Sequence, residues 1–165
     1  YRLKTIESDR EKVRLWYGRL EVSIPDPNNS KQIAKAIDHW YRDRALTIFL
    51  ERYQHCLQLV APYGINPVSE ASQNQNIGFE LRTMQKRWGS CTKDGKILLN
   101  PLLVSAPKDC IDYVIVHELC HLRIHNHSPH FYKLLETIMP DWKTRKEYLD
   151  RRIELRSRSF KHSKI

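Results

Sequence analysis

The stretch VIVHELCHLRIHNHSPHF, residues 114 to 131, sets five histidines and a glutamate into an apolar run, and it limits what this chain can be more than any other feature. Ile111, Val114, Ile115 and Val116 lead with helical spacing into His117-Glu118-Leu119-Cys120-His121. On a helix, positions i and i+4 lie one turn apart on the same face, so both imidazoles of this HExxH pattern can reach one tetrahedral zinc ion. Glu118, turned by about 100° from His117, borders the same point. One rigid element thereby places two ligands and a general base.

A catalytic zinc takes three protein ligands and keeps its fourth position for water. His125, His127, His130 and Glu136 compete for the third place. On a straight helix His125 would lie about 12 Å from His117 at a rise of 1.5 Å per residue, too far for one metal. The chain must reverse, and Asn126, which tolerates the left-handed conformation, is the expected bend. His127, just beyond it, is the expected third ligand, with Ser128-Pro129 starting a new helix as N-cap and first-turn proline. The spacing HExxHxxxxxH matches the metzincin register, with Ile124 where that motif has glycine.

The rest of the chain predicts an α+β fold. LEVSI, 20 to 24, alternates apolar and polar residues and can pair with VRLWY across Gly18 as a hairpin. Asn29 or Ser30 then caps a long helix that carries Ile33, Ile37, Trp40, Tyr41, Ile48, Tyr53, Leu57 and Val60 and stops at Pro62 and Gly64. Weak strand signals follow near Val68, in IGFELRTM (77 to 84), in RWGSCT (87 to 92) and in KILLN (96 to 100), before the histidine helix begins near Pro107. Asp141 is placed to cap a last, basic helix. At 165 residues and 41% hydrophobic, the expected arrangement is one domain: a short β segment 1–28, a catalytic core 29–140 and a basic helix 141–165.

The chain has no run of about twenty apolar residues and its start lacks the apolar centre of a signal peptide, so a soluble cytoplasmic protein with no membrane contact is expected. Cys56, Cys91, Cys110 and Cys120 form no CxxC pair, and reduced, packed thiols are expected. The net charge is +9, and nine Lys or Arg against three acids fall between Lys143 and Lys164. That segment reads as a solvated helix face or as a weak contact with a polyanion such as nucleic acid.

LRTMQKRWGSCTKDGKILLN and YVIVHELCHLRIHNHSPHFY together resemble the YgjP-like metallopeptidase domain family, whose members carry RWGSC, a following LN, a YVVxHELxHL helix and a downstream NHS. The resemblance covers about residues 77 to 132. It implies a zincin-like fold related to SprT-like peptidases, with His117, His121 and His127 as zinc ligands and Glu118 as the catalytic glutamate. For the RWGSC stretch the residues leave two readings open. Arg87, Trp88, Gly89 and Ser90 form an edge strand that holds a substrate backbone, or Trp88 fills core and Gly89 serves a backbone angle. Arg87 meets a substrate anion or an internal acid.

Three functions fit these residues. The first is a metallopeptidase acting on peptide or protein with zinc-activated water and Glu118 as base. The second is a metal-dependent nucleoside triphosphate hydrolase, which uses the basic charge but lacks a Gly-rich phosphate loop. The third is a nucleic-acid-binding module with structural zinc, in which Glu118 would have no task.

Overall fold

The computed structural model describes residues 2–67 and 78–151. The chain divides into two compact units, Tyr1–Arg44 and Ala45–Ile165. In the first, β1 (Arg2–Glu7), β2 (Lys12–Trp16) and β3 (Arg19–Ile24) form a sheet in the order β1-β3-β2, with β1 parallel and β2 antiparallel to β3. The β2–β3 hairpin closes on a two-residue turn, Tyr17-Gly18, in which both φ angles are positive at 44° and 71°. Such turns match the twist of the strands but favour Asn-Gly. A tyrosine in the first position costs roughly 1–2 kcal/mol of backbone strain.

Alternation along β3 turns Leu20, Val22 and Ile24 inward. Val22 and Ile24 cluster with Val13 and with Ala36, Ile33 and Ile37 from the start of α1 (Ser30–Val60). Asn29 caps that helix by accepting from the Gln32 N–H at 3.1 Å, as its side-chain chemistry predicts. The boundary between the units falls inside α1.

In the second unit α1 buries Ala45, Phe49, Tyr53, Cys56 and Val60, one stripe at helical spacing. The helix passes into a 3-10 turn, Ala61–Tyr63, and stops at Gly64, whose φ of 69° needs no Cβ to be displaced. Strands β4 (Phe79–Leu81), β5 (Gly89–Cys91) and β6 (Ile97–Leu99) form a second sheet in the order β4-β6-β5. Its central strand β6 is buried at all three residues and its edge strand β5 runs antiparallel to β6. Phe79 packs its ring on Phe49 and Tyr53 at 6.2 and 5.5 Å.

Asn100, fully buried, ties three turns together. Its amide donates to the carbonyls of Met84 and Arg87, and its oxygen accepts from the Leu102 N–H. Helix α2 (Lys108–Cys120) follows, buried from Cys110 to Val116, with Pro107 at its N-cap position rather than inside the first turn. Helix α3 (Pro129–Ile138) buries Phe131 and Leu135, and residues 142–151 form α4, which buries Trp142 and Leu149. All four cysteines are free thiols. No helix among the described residues is long and apolar enough to cross a membrane. The strand expected near Val68 and the basic residues beyond 151 lie outside the described residues.

Candidate metal centre

Helix α2 ends in its own first candidate ligands. His117 lies in its last turn and His121 caps it, so an apolar helix that must be buried delivers two imidazoles at its exit. The reversal begins there and not at Asn126. Leu122 and Arg123 donate to the carbonyls of Leu119 and Cys120, tightening the helix into i to i+3 turns. Tyr17 is the sole non-glycine with positive φ among the described residues, so Asn126 bends in an ordinary conformation. With the helix stopped at Cys120, the collinear position considered for His125 never forms.

The turn brings His127 back over α2. Its Nε2 lies 3.0 Å from His117 Nε2 and 3.1 Å from His121 Nε2, and one ligand atom from each of the three falls within 4.8 Å of the others. Phe131 walls the group, with its ring centroid 4.9, 4.5 and 5.0 Å from those of His117, His121 and His127. His125 and His130 are exposed and stand outside the trio, and Glu136 pairs with Lys143 at 3.6 Å.

The donor chemistry fits a cation. His121 Nδ1 faces the Ile124 carbonyl at 3.1 Å, which fixes the N–H there and leaves the Nε2 lone pair pointing inward. His127 Nε2 meets two other Nε2 atoms, and a single N–H can satisfy one of them only. Burial, with His121 and His127 adding to it, lowers His117 to about 3, so it is neutral and free to donate a lone pair. Three nitrogen donors around one point suit zinc, and leave it a further position.

Three polar side chains that could back these ligands are engaged elsewhere. Asp112 forms a two-pronged pair with Arg52, at 2.7 and 2.6 Å, between α2 and α1. Asn100 serves its turns, and Glu136 serves Lys143. His117 Nδ1 is buried with no partner among the described residues.

Glu118 is 7% exposed and lies between α2 and β5. Burial raises its carboxyl to about 7, opposed by the Cys91 backbone N–H, which donates to it, and by the charge of Arg87. This close approach explains Gly89. A Cβ there would stand 2.8 Å from Glu118 Oε1 and 2.8 Å from Val114 Cγ1. We expect Gly89→Ala to cost about 1–3 kcal/mol through overpacking and to displace the carboxylate. A melting temperature and a hydrolysis rate both equal to wild type would show that the gap tolerates a methyl group.

Of the four RWGSC residues, Trp88 is buried and its Nε1 donates to the Leu149 carbonyl at 3.4 Å, while the space beside Gly89 is filled by Glu118 and Val114. Arg87 is exposed and Ser90 half-buried. All four border a cleft of about 800 Å³ that the three histidines and Glu118 also line. Lys86, Lys93 and Lys146 stand around it with Asp150. Sequence reasoning missed Phe131, the Cys91 N–H and the Arg52–Asp112 pair. Only Phe131 had a signal, as the large apolar residue four places after His127.

A family model for the YgjP-like metallopeptidase domain matches residues 1–152, so the likeness extends across both units and well beyond the motifs at 77 to 132. Among solved structures, the metallopeptidase zymogen of Pyrococcus abyssi abylysin matches with a TM-score of 0.50 at 17% identity, covering 64% of this chain and 95% of that one. That likeness is one of fold. No curated protein matches the chain at a significant level.

Proposed function

We propose, because the chain belongs to the YgjP-like metallopeptidase domain family, that it cleaves peptide bonds in peptide or unfolded protein with zinc held by His117, His121 and His127. The observation that carries this reading is the convergence of three Nε2 atoms beside a buried glutamate in an open cleft. When bound, the ion supplies Lewis acidity toward water and the scissile carbonyl. Glu118 takes the proton of the attacking water and passes it to the leaving amine. The Cys91 N–H and the wall of Val114 hold that carboxylate in place.

The extended edge of β5 suits a peptide. Trp88 O and Thr92 N bond to Asn100 and Lys96 on the β6 side, and alternation then turns the main-chain groups of Gly89 and Cys91 to the outer edge, where the Cys91 N–H is already given to Glu118 and the Gly89 groups and the Cys91 carbonyl remain. An extended substrate adding to that edge would lie along α2, with Arg87 and Ser90 beside it.

The cations Lys86, Arg87, Lys93 and Lys146 around the same cleft favour one second reading, hydrolysis of nucleoside triphosphates. Metal analysis followed by parallel assays on unfolded protein, short peptides and triphosphates separates the two. We expect about one zinc per chain and metal-dependent cleavage of the protein or peptides. Zinc-dependent phosphate release with no peptide cleavage would reverse the order of the readings.

A further inference from the structure

One face of the N-terminal sheet presents a cation in every row. The register sets Arg2, Arg19 and Trp16 side by side, then Lys4, Glu21 and Arg14, then Ile6, Ser23 and Lys12. Residues paired in register share a side of the sheet, and alternate residues along a strand do too, so these three rows form one face. The other face carries Leu20 and Val22, the latter within the core against α1. Five cations therefore stand against one carboxylate. That carboxylate, Glu21, is 6% exposed and already held by Arg14 at 2.7 Å and Lys4 at 3.7 Å.

Two bare aromatics close this face at the hairpin tip. Trp16 is 54% and Tyr17 88% exposed, their rings meet edge to face at 4.9 Å, and the Arg14 guanidinium lies 5.6 Å from the Trp16 centroid. Tyr17 is also the residue held in the left-handed region, at a turn position that asparagine or glycine would fill without strain. The fold buries less than half of Trp16 and little of Tyr17. Strain kept to display a side chain at the surface points to a ligand.

We propose that this face binds single-stranded nucleic acid, with phosphates on the cationic rows and bases stacked on Trp16 and Tyr17. Basic grooves beside exposed aromatics are how sequence-tolerant single-strand binding is built, since every base offers a π face. A duplex hides those faces within its stack. An acidic peptide would engage the charges and leave the rings unused. A bilayer would need an apolar set inserted together, whereas here the apolar groups occupy one tip. The proposal stands independently of the hydrolytic reading.

The test uses the full chain and fluorescence anisotropy with labelled oligothymidylate, labelled oligouridylate and duplex DNA, and cosedimentation with phosphatidylserine vesicles. We expect a single strand to bind at low salt at least tenfold more tightly than duplex, with preference between the two strands reporting on the sugar and the thymine methyl group together. Tyr17→Asn, which relaxes the turn and so cannot act by unfolding, and Trp16→Ser should each weaken binding about tenfold. Combining Arg2→Gln, Lys12→Gln and Arg19→Gln should flatten the logarithmic salt slope by about 2, at roughly 0.7 per phosphate. Four results would each overturn the proposal: no single-strand binding, binding retained by all the variants, duplex bound as tightly as single strand, or vesicles bound in place of the strands.

Discussion

Glu118→Gln should keep the fold and the metal while hydrolysis falls about 10²–10⁴-fold, the range that a positioned general base contributes. The amide has the carboxylate's shape, so its oxygen can still accept the Cys91 N–H that steadies the wild-type side chain. It cannot take a proton from water. Stability should hold or rise slightly, because a neutral amide escapes the desolvation that pushes the buried carboxyl up to about 7. Metal content, melting temperature and cleavage of an unfolded protein, measured on one preparation, check this. Turnover within a few-fold of wild type would remove Glu118 as the base, and loss of the metal would make it a shaping residue.

His127→Ala should lose the metal, with affinity falling well over 100-fold, more than substitutions behind a ligand cause. His117 and His121 would remain on a rigid helix, but they cover one side of the ion only. A chelator makes the comparison sharp. At a free metal concentration 100 times Kd, binding adds about 2.7 kcal/mol to wild-type stability, or roughly 5–10 °C in Tm for a chain of this size. Chelation should erase that increment in wild type and change nothing in His127→Ala. His125→Ala and His130→Ala, which alter exposed rings outside the trio, should bind metal and melt as wild type does. A His127→Ala protein with full metal content would return the third-ligand position to its competitors.

What could be read in the sequence was local. The β2–β3 hairpin, the long helix from Asn29 to Pro62 and the HELCH helix each announce themselves within a few residues through alternation, a cap or a spacing. The meeting of His127 with His117 and His121 also follows from short range, because an ion cannot be shared along a straight helix. Its route did not follow, since the helix tightens at His121 and Asn126 keeps an ordinary backbone. Strand β1 was missed because its partner β3 is parallel and lies beyond β2, so RLKTIE carries no turn signal of its own. Arg52 and Asp112 meet across 60 positions of sequence with nothing in either neighbourhood to connect them. The basic helix illustrates the reverse problem. A charge count suggests a cationic surface, yet in the described part of the segment Lys143, Arg145, Lys146 and Arg151 each face an acid, namely Glu136, Asp141, Asp150 and Glu147. On the N-terminal sheet, by contrast, Arg2, Lys12 and Arg19 face no acid among the described residues.

Phe131 touches all three imidazoles, and its ring is fully buried. The chemical groups of the centre, the strand that steadies the glutamate and the wall behind the ligands thus all fall between Gly89 and Phe131. Such a segment can be inherited as one piece. Substitutions outside it can alter what the protein meets or where it is held, while the inner set stays intact. Divergence among proteins that share this segment should therefore accumulate as changes of destination and diet, with the histidine and glutamate set carried along unchanged.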